Sequence, residues 1–284
     1  MHPSTPNHPV ALTIAGSDSG GGAGLQADLK AMHAHGVFGM SVVTAITAQN
    51  SHAVTAAFDL PTDLVAAQID AVAEDFAIRA VKTGMLSSSA LIDAVADGIE
   101  RHGLGPVVVD PVMISKSGFA LLKPDAVEAV RARMLPLARL VTPNVHEAEA
   151  LTGHTIRTLD DAQVAATALH AMGPQAVLVK GGHLPLDGDA EFDAVDVLFD
   201  GTTFAFFRSP RIDTPHTHGT GCTYASAIAA GLARGFDLAT AVGRAKTYLT
   251  EAIRQALPLG RGHGPVHHFW HLDPAHAARP VRGE

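Results

Sequence analysis

Short runs of apolar, β-branched residues alternate along the chain with Ala-rich stretches of helical length. The runs are VALTIAG at 10–16, SVVTAITA at 41–48, AIRAVKTG at 77–84, PVVVD at 106–110, ARLVTPN at 138–144 and QAVLVKGG at 175–182. PVVVD and AVLVK are apolar at nearly every position, as strands buried on both faces are, and the alternation predicts βαβ units around a mostly parallel sheet. A helix is expected over 62–75, starting at Thr62 or Asp63, with Leu64, Ala67, Gln68, Ala71, Val72 and Phe76 as the stripe facing the sheet. DAVDVLFDGTTFAFF, around 193–208, holds two strand-like runs about Asp200-Gly201 and predicts an antiparallel edge hairpin. Two consecutive helices are expected over 219–235 and 237–257, followed from Pro258 by an irregular tail rich in Gly, His and Pro.

No repeat, low-complexity tract or linker divides the pattern, so residues 1–284 read as one α/β domain with 1–9 as a flexible N-terminus. Hydrophobic residues make up 47% of the chain, enough for a large core. The net charge of -8 has the wrong sign for gathering nucleic acid or anionic lipid, so neither is an expected partner, and an anionic ligand must be held locally. The sequence shows no signal-peptide pattern and no membrane-spanning apolar run. Cys222, the single cysteine, excludes an intrachain disulfide and suits a reducing, cytoplasmic setting. The pairs His33/His35, His216/His218 and His267/His268 lack the spacing and carboxylate company of a metal site and are expected in structural or solvent-facing roles.

Two glycine-rich segments carry the candidate chemistry. The first strand runs through Gly16-Ser17-Asp18-Ser19-Gly20-Gly21-Gly22-Ala23-Gly24 into a helical pattern, an arrangement that can cradle an anion or simply turn the chain tightly. Gly22-x-Gly24-x-x-Ala27 formally fits a dinucleotide fingerprint, but the second strand ends in Gln49-Asn50 where a ribose-binding acid belongs, and no P-loop Lys follows the glycines. The second segment, Asp213-Thr214-Pro215-His216-Thr217-His218-Gly219-Thr220-Gly221-Cys222, enters an apolar helix, so free amide N–H groups there form an anion hole. A helix start favours the Cys222 thiolate; the alternative is an inert packed cysteine. Asn144-x-x-Glu147 also opens a helix, either as ligands for hydrated magnesium or as a plain capping box.

ALTIAGSDSGGGAGLQADLK, VTAITAQNS, VKTGML, VVVDPVMISKSG, VTPNVHEAEAL, VLVKGGHL, THGTGCTYASAIAA and GHGPVHHF together resemble the hydroxymethylpyrimidine and phosphomethylpyrimidine kinases of thiamine synthesis, over nearly the whole chain and in order. The resemblance implies a ribokinase-like three-layer α/β/α fold, ATP and Mg²⁺ as cofactors, a homodimer, and phosphorylation of an aminopyrimidine alcohol and then of its monophosphate. It implies Cys222 as general base within an anion hole of Gly219, Thr220, Gly221 and Cys222. It implies Asn144, Glu147 and Asp110 around magnesium, with Asp110, Lys180 and Thr220 near the nucleotide. It implies Gly16, Asp28, Gln49 and Met85 around the pyrimidine, where Asp28 and the Gln49 amide match ring nitrogens and an exocyclic amine. A pyridoxal kinase is the nearest alternative, and a catalytically silent vitamin-binding domain is a second.

Overall fold

The computed structural model describes residues 8–114, 118–119, 121–123, 126–182 and 193–272. Strands β1 (Val10–Ala15), β2 (Phe38–Val43), β5 (Ala80–Thr83), β6 (Val107–Val109), β7 (Leu140–Val141), β8 (Val177–Val179), β9 (Asp193–Phe199) and β10 (Phe204–Pro210) build one sheet in the order β10-β9-β8-β7-β6-β5-β1-β2. β1, β2 and β5–β8 pair in parallel, while β9 runs antiparallel to both neighbours and closes the hairpin expected at Asp200-Gly201 on the sheet edge.

Helices cover both faces, which explains strands that are apolar throughout. Helices α2 (Thr62–Ala73), α3 (Ser89–Arg101), α4 (Ala126–Ala129), α5 (Val145–Thr152) and α6 (Leu159–His170) share one core with Leu12, Val107, Val109 and Val177. Helices α1 (Gly24–Ala34), α7 (Thr220–Ala233) and α8 (Leu238–Arg254) share the other with Ala11, Val108 and Leu178. In α7 every residue from Thr223 to Gly231 is buried, a degree of enclosure that its Ala, Gly and Ser residues permit because small side chains let α1, α8 and the sheet approach closely. α8 begins one residue after Asp237, whose side chain accepts from the Thr240 N–H as a cap.

Two expectations need correction, and a third lies mostly outside the described residues. The run at 41–48 is not one strand: β2 stops at Val43, and Ala45–Gln49 becomes β3, which pairs with β4 (Val54–Asp59) in a separate two-stranded sheet. Thr44 makes the break, its side chain donating to the Met85 carbonyl and its carbonyl accepting from the Leu60 N–H. In α2 the buried residues are Val65 and Ile69, whereas Leu64 and Phe76 are exposed. Gln68, expected on that stripe, does face inward and binds both the N–H and the carbonyl of Val43, but the buried face runs through Val65 and Ile69 rather than through Leu64, Ala67 and Ala71. The expected loose N-terminus falls outside the described residues for 1–7, and Pro9 is already held by the Phe38 N–H.

Candidate active site

The carboxyl ends of the parallel strands, where open α/β sheets bind ligands, converge on the start of α7. Gly219 caps that helix in the left-handed conformation, with φ +80°. It must be glycine for a second reason: a Cβ there would run into the carbonyl oxygen of Gly22, so the two glycine-rich segments touch backbone to backbone. Thr220 turns its hydroxyl back to the Thr217 carbonyl. Gly221 faces Asp110 and Lys180, since a Cβ on it would lie 3.6 Å from Asp110 Oδ2 and 3.5 Å from Lys180 Nζ.

The first glycine loop is not an open anion cradle. Its amides are already used: the carboxylate of Asp18, 1% exposed, accepts from the N–H groups of Gly20, Gly22 and Ala23 at 2.8, 3.0 and 2.8 Å. His218 Nε2 stands 2.8 Å from the same carboxylate, and although burial works against it, these bonds hold Asp18 below its usual pKa. Asp18 and His218 therefore clip one glycine loop to the other. His218 was expected only in a structural or solvent-facing role and Asp18 was given no role from sequence; an Asp three residues past a strand end, among glycines, is the available signal.

Asp28 also departs from expectation. It is fully buried on α1, and its two oxygens take Lys82 Nζ at 2.9 and 2.8 Å, Thr13 Oγ1 at 2.6 Å and Ser226 Oγ at 2.7 Å. No lone pair is left for a pyrimidine; Asp28 ties α1, β1, β5 and α7 together beneath the site. Burial would lower the Lys82 pKa, but Asp28 holds it well above the ordinary lysine value. A lysine within the apolar strand AVKT was the signal that a buried carboxylate had to face it.

Of the other pyrimidine positions, Gly16 and Met85 lie together, a Cβ on Gly16 falling 3.1 Å from Met85 Sδ. Gln49 ends β3 beside the first glycine loop, its backbone bonded in both directions to Ser19 Oγ and its amide 3.5 Å from His218 Nε2. Replacing it by Leu is expected to weaken pyrimidine binding by roughly 1–3 kcal/mol with ATP binding near normal, as titration calorimetry with each ligand would read.

On the opposite side Lys180 is not a solvated strand-end lysine. Its Nζ pairs with Asp110 Oδ1 at 2.8 Å, and Asp110 is 2% exposed. Burial alone would lower the Lys180 pKa; Asp110 and Glu147 hold it above the ordinary value. Asn144 and Glu147 form the complete capping box of α5, with bonds of 2.9 and 2.8 Å. Glu147 is nonetheless more than a cap: burial pushes its carboxyl up to about 7, Lys180 opposing and Asp110 adding to the rise. Among the described residues no group of three His, Cys, Asp or Glu could enclose a metal. Two buried carboxylates are still a fitting donor set for Mg²⁺, which keeps much of its water and takes further oxygens from substrate phosphates.

Cys222 sits half-buried in the first turn of α7, directly after Gly221. Burial pushes its thiol up to about 11; Lys82 pulls it down, Asp28 and Asp110 push it up, and the Gly24 N–H pulls it down. The helix start does not make a resting thiolate, because desolvation and two carboxylates outweigh it.

A glycine-opened helix start flanked by buried carboxylates and ammonium groups is equipped to bind and stabilise a phosphoryl group in transfer, and the three-layer α/β/α frame is that of ribokinase-like kinases. The chain belongs to the phosphomethylpyrimidine kinase family, whose model matches residues 18–267. It is 52% identical over 270 residues to the hydroxymethylpyrimidine/phosphomethylpyrimidine kinase of Streptomyces coelicolor, spanning 95% of this chain and 97% of that one. Among solved structures it is similar to phosphomethylpyrimidine kinase from Clostridium difficile, with 46% identity, a TM-score of 0.75, and coverage of 86% of this chain and 99% of that one. It is also similar to the ADP complex of Bacillus subtilis pyridoxal kinase, with 41% identity, a TM-score of 0.85, and coverage of 92% and 98%. The protein is accordingly an ATP-using kinase, and no helix among the described residues is long and apolar enough to cross a membrane.

Proposed function

We propose that this protein transfers the γ-phosphoryl group of ATP to the hydroxymethyl oxygen of 4-amino-5-hydroxymethyl-2-methylpyrimidine, and then a second phosphoryl group to the monophosphate, in thiamine synthesis. The observation that carries this reading is the place of Cys222: it sits in the first turn of α7, directly after Gly221, which faces Asp110 and Lys180, and it accepts from the Gly24 N–H of the first glycine loop. The amides of Gly219 to Cys222 receive the phosphoryl oxygens, and Cys222 takes the hydroxyl proton through the thiolate fraction that Lys82 helps sustain. Lys180 and Thr220 face the nucleotide phosphates, and Gly16, Gln49 and Met85 hold the ring. Asp110 and Glu147, with Asn144 shaping the turn, hold magnesium, which neutralises charge on the phosphates. Purified protein incubated with MgATP and, separately, the alcohol, its monophosphate and pyridoxal should yield phosphorylated products from the first two by mass. Turnover of pyridoxal alone would overturn the assignment in favour of a pyridoxal kinase, the reading favoured by the higher TM-score to that enzyme.

Glu147→Gln keeps the capping box but removes one charge, so the magnesium concentration for half-maximal rate should rise. A titration superimposable on wild type would reduce Glu147 to a cap. The chain acts as one kinase domain in a cytoplasmic setting and pairs as a homodimer, a reading supported by Ile46 and Phe58, cross-strand neighbours on the small sheet that are 49% and 67% exposed. Light scattering should give twice the chain mass for wild type and the single mass for Phe58→Asp; a monomeric wild type at micromolar concentration would end the dimer reading.

A further inference from the structure

The GHGPVHHF segment reads in sequence as part of an irregular tail, yet its backbone and His268 are bonded to several distant parts of the chain. After α8 the chain returns across the site and joins three elements of it. At the first, the N–H groups of Gly262 and His263 donate to Ser51 Oγ and Ser51 O at 3.1 and 2.9 Å, in the turn two residues after Gln49. Gly262 can sit there only because it lacks a Cβ, which would collide with the Ser51 carbonyl oxygen. At the second, His218 donates its N–H to the Gly264 carbonyl and accepts from the Val266 N–H, a parallel bridge that braces the residue just before Gly219. At the third, His268 Nε2 lies 2.9 Å from the Thr223 hydroxyl, next to Cys222, while the His268 carbonyl accepts from Tyr248 of α8. His268 and Thr223 are 4% and 0% exposed, and burial, with the Lys30 and His267 charges adding to it, pushes the imidazole down to about 3, so the ring is neutral at physiological pH.

We infer that Gly262–His268 is a positioning strap for phosphoryl transfer: it sets the anion hole and Cys222, through His218 and Thr223, against the Gln49 end of the small sheet, through Ser51. Its bonds run to residues that frame the site, Ser51, His218 and Thr223, so it acts through them. The physical reason for such a device is that the pyrimidine side and the phosphoryl side sit on different parts of the fold, the small β3–β4 sheet and the start of α7. A strap bonded to both fixes the distance over which the hydroxyl must meet the phosphoryl group, and misplacement of about 1 Å can cost about a hundredfold in rate.

The inference rests on the kinase reading, and the test separates the two. Wild type is first assayed for phosphorylation of the pyrimidine alcohol; an inactive wild type would count against the proposed function and not the strap. Single-turnover transfer with both ligands saturating is then compared for Thr223→Val, His268→Leu, His268→Gln and the double variant Thr223→Val/His268→Leu. Thr223→Val and His268→Leu should each slow transfer by about tenfold to a hundredfold, with KM for each substrate within about threefold of wild type. The double variant should be no slower than the worse single one, because both remove the same bond. His268→Gln, whose amide oxygen can reach the Thr223 hydroxyl in place of Nε2, should recover most of the rate. Single-variant rates within threefold of wild type, additive losses in the double variant, or failure of Gln to recover the rate would overturn the proposal. If His268→Leu does not fold, the near-isosteric Thr223→Val and the conservative His268→Gln decide it alone.

Discussion

Cys222→Ala is expected to lower the single-turnover rate of phosphoryl transfer by about 10² to 10⁴, the range for a positioned general base. Fold and ligand binding should largely survive, because the anion hole consists of backbone amides that Ala leaves in place. Cys222→Asp should recover part of the rate and Cys222→Ser should not. The wild-type rate should also climb with pH across the neutral range and still be rising at pH 9, since burial pushes the thiol up to about 11. That rise should be lost in Cys222→Ala. An Ala variant within threefold of wild type, or a profile already flat at neutral pH, would leave the loop as a phosphate cradle and Cys222 as a packed side chain.

The second large effect is on stability. Among the described residues Asp28 is the only carboxylate bonded to the fully buried Lys82 ammonium, and Asp28→Ala removes it and strands the hydroxyls of Thr13 and Ser226, so the fold should lose about 3–5 kcal/mol in urea denaturation. Below the transition, pyrimidine affinity per folded molecule should stay near wild type. The opposite pattern, weakened pyrimidine binding on an undiminished fold, would return Asp28 to the substrate pocket. Replacing Asp28 and Lys82 together by Asn and Met should cost less than Asp28→Ala, because no unpaired charge remains buried.

Periodicity and turn chemistry alone determined most of the architecture. Strands buried on both faces have to be apolar throughout, so PVVVD and AVLVK announced the parallel sheet, and Asp200-Gly201 announced the hairpin. The start of α7 was equally legible, because Gly219 and Gly221 before an Ala-rich run leave few conformations open. The phase of α2 was only partly legible: Gln68 was expected on the inner face and Val43 holds it there, but that Val65 and Ile69 rather than Leu64 and Ala67 share this face depends on how the helix meets the sheet.

What each polar site residue does was decided by the tertiary structure, because the partner that settles a charge or hydrogen bond is distant in sequence. Asp28 resembles a substrate ligand until Lys82, on a neighbouring strand, is found saturating it. A predominant Cys222 thiolate follows from a helix start considered alone and shrinks to a minor fraction once burial and the carboxylates of Asp28 and Asp110 are counted. Asp18 and His218 are 200 residues apart, yet they meet at 2.8 Å and lock the two glycine loops. Local sequence carries the geometry of helix starts and turns; the electrostatic state of the groups placed there is a sum over neighbours that only the folded chain assembles.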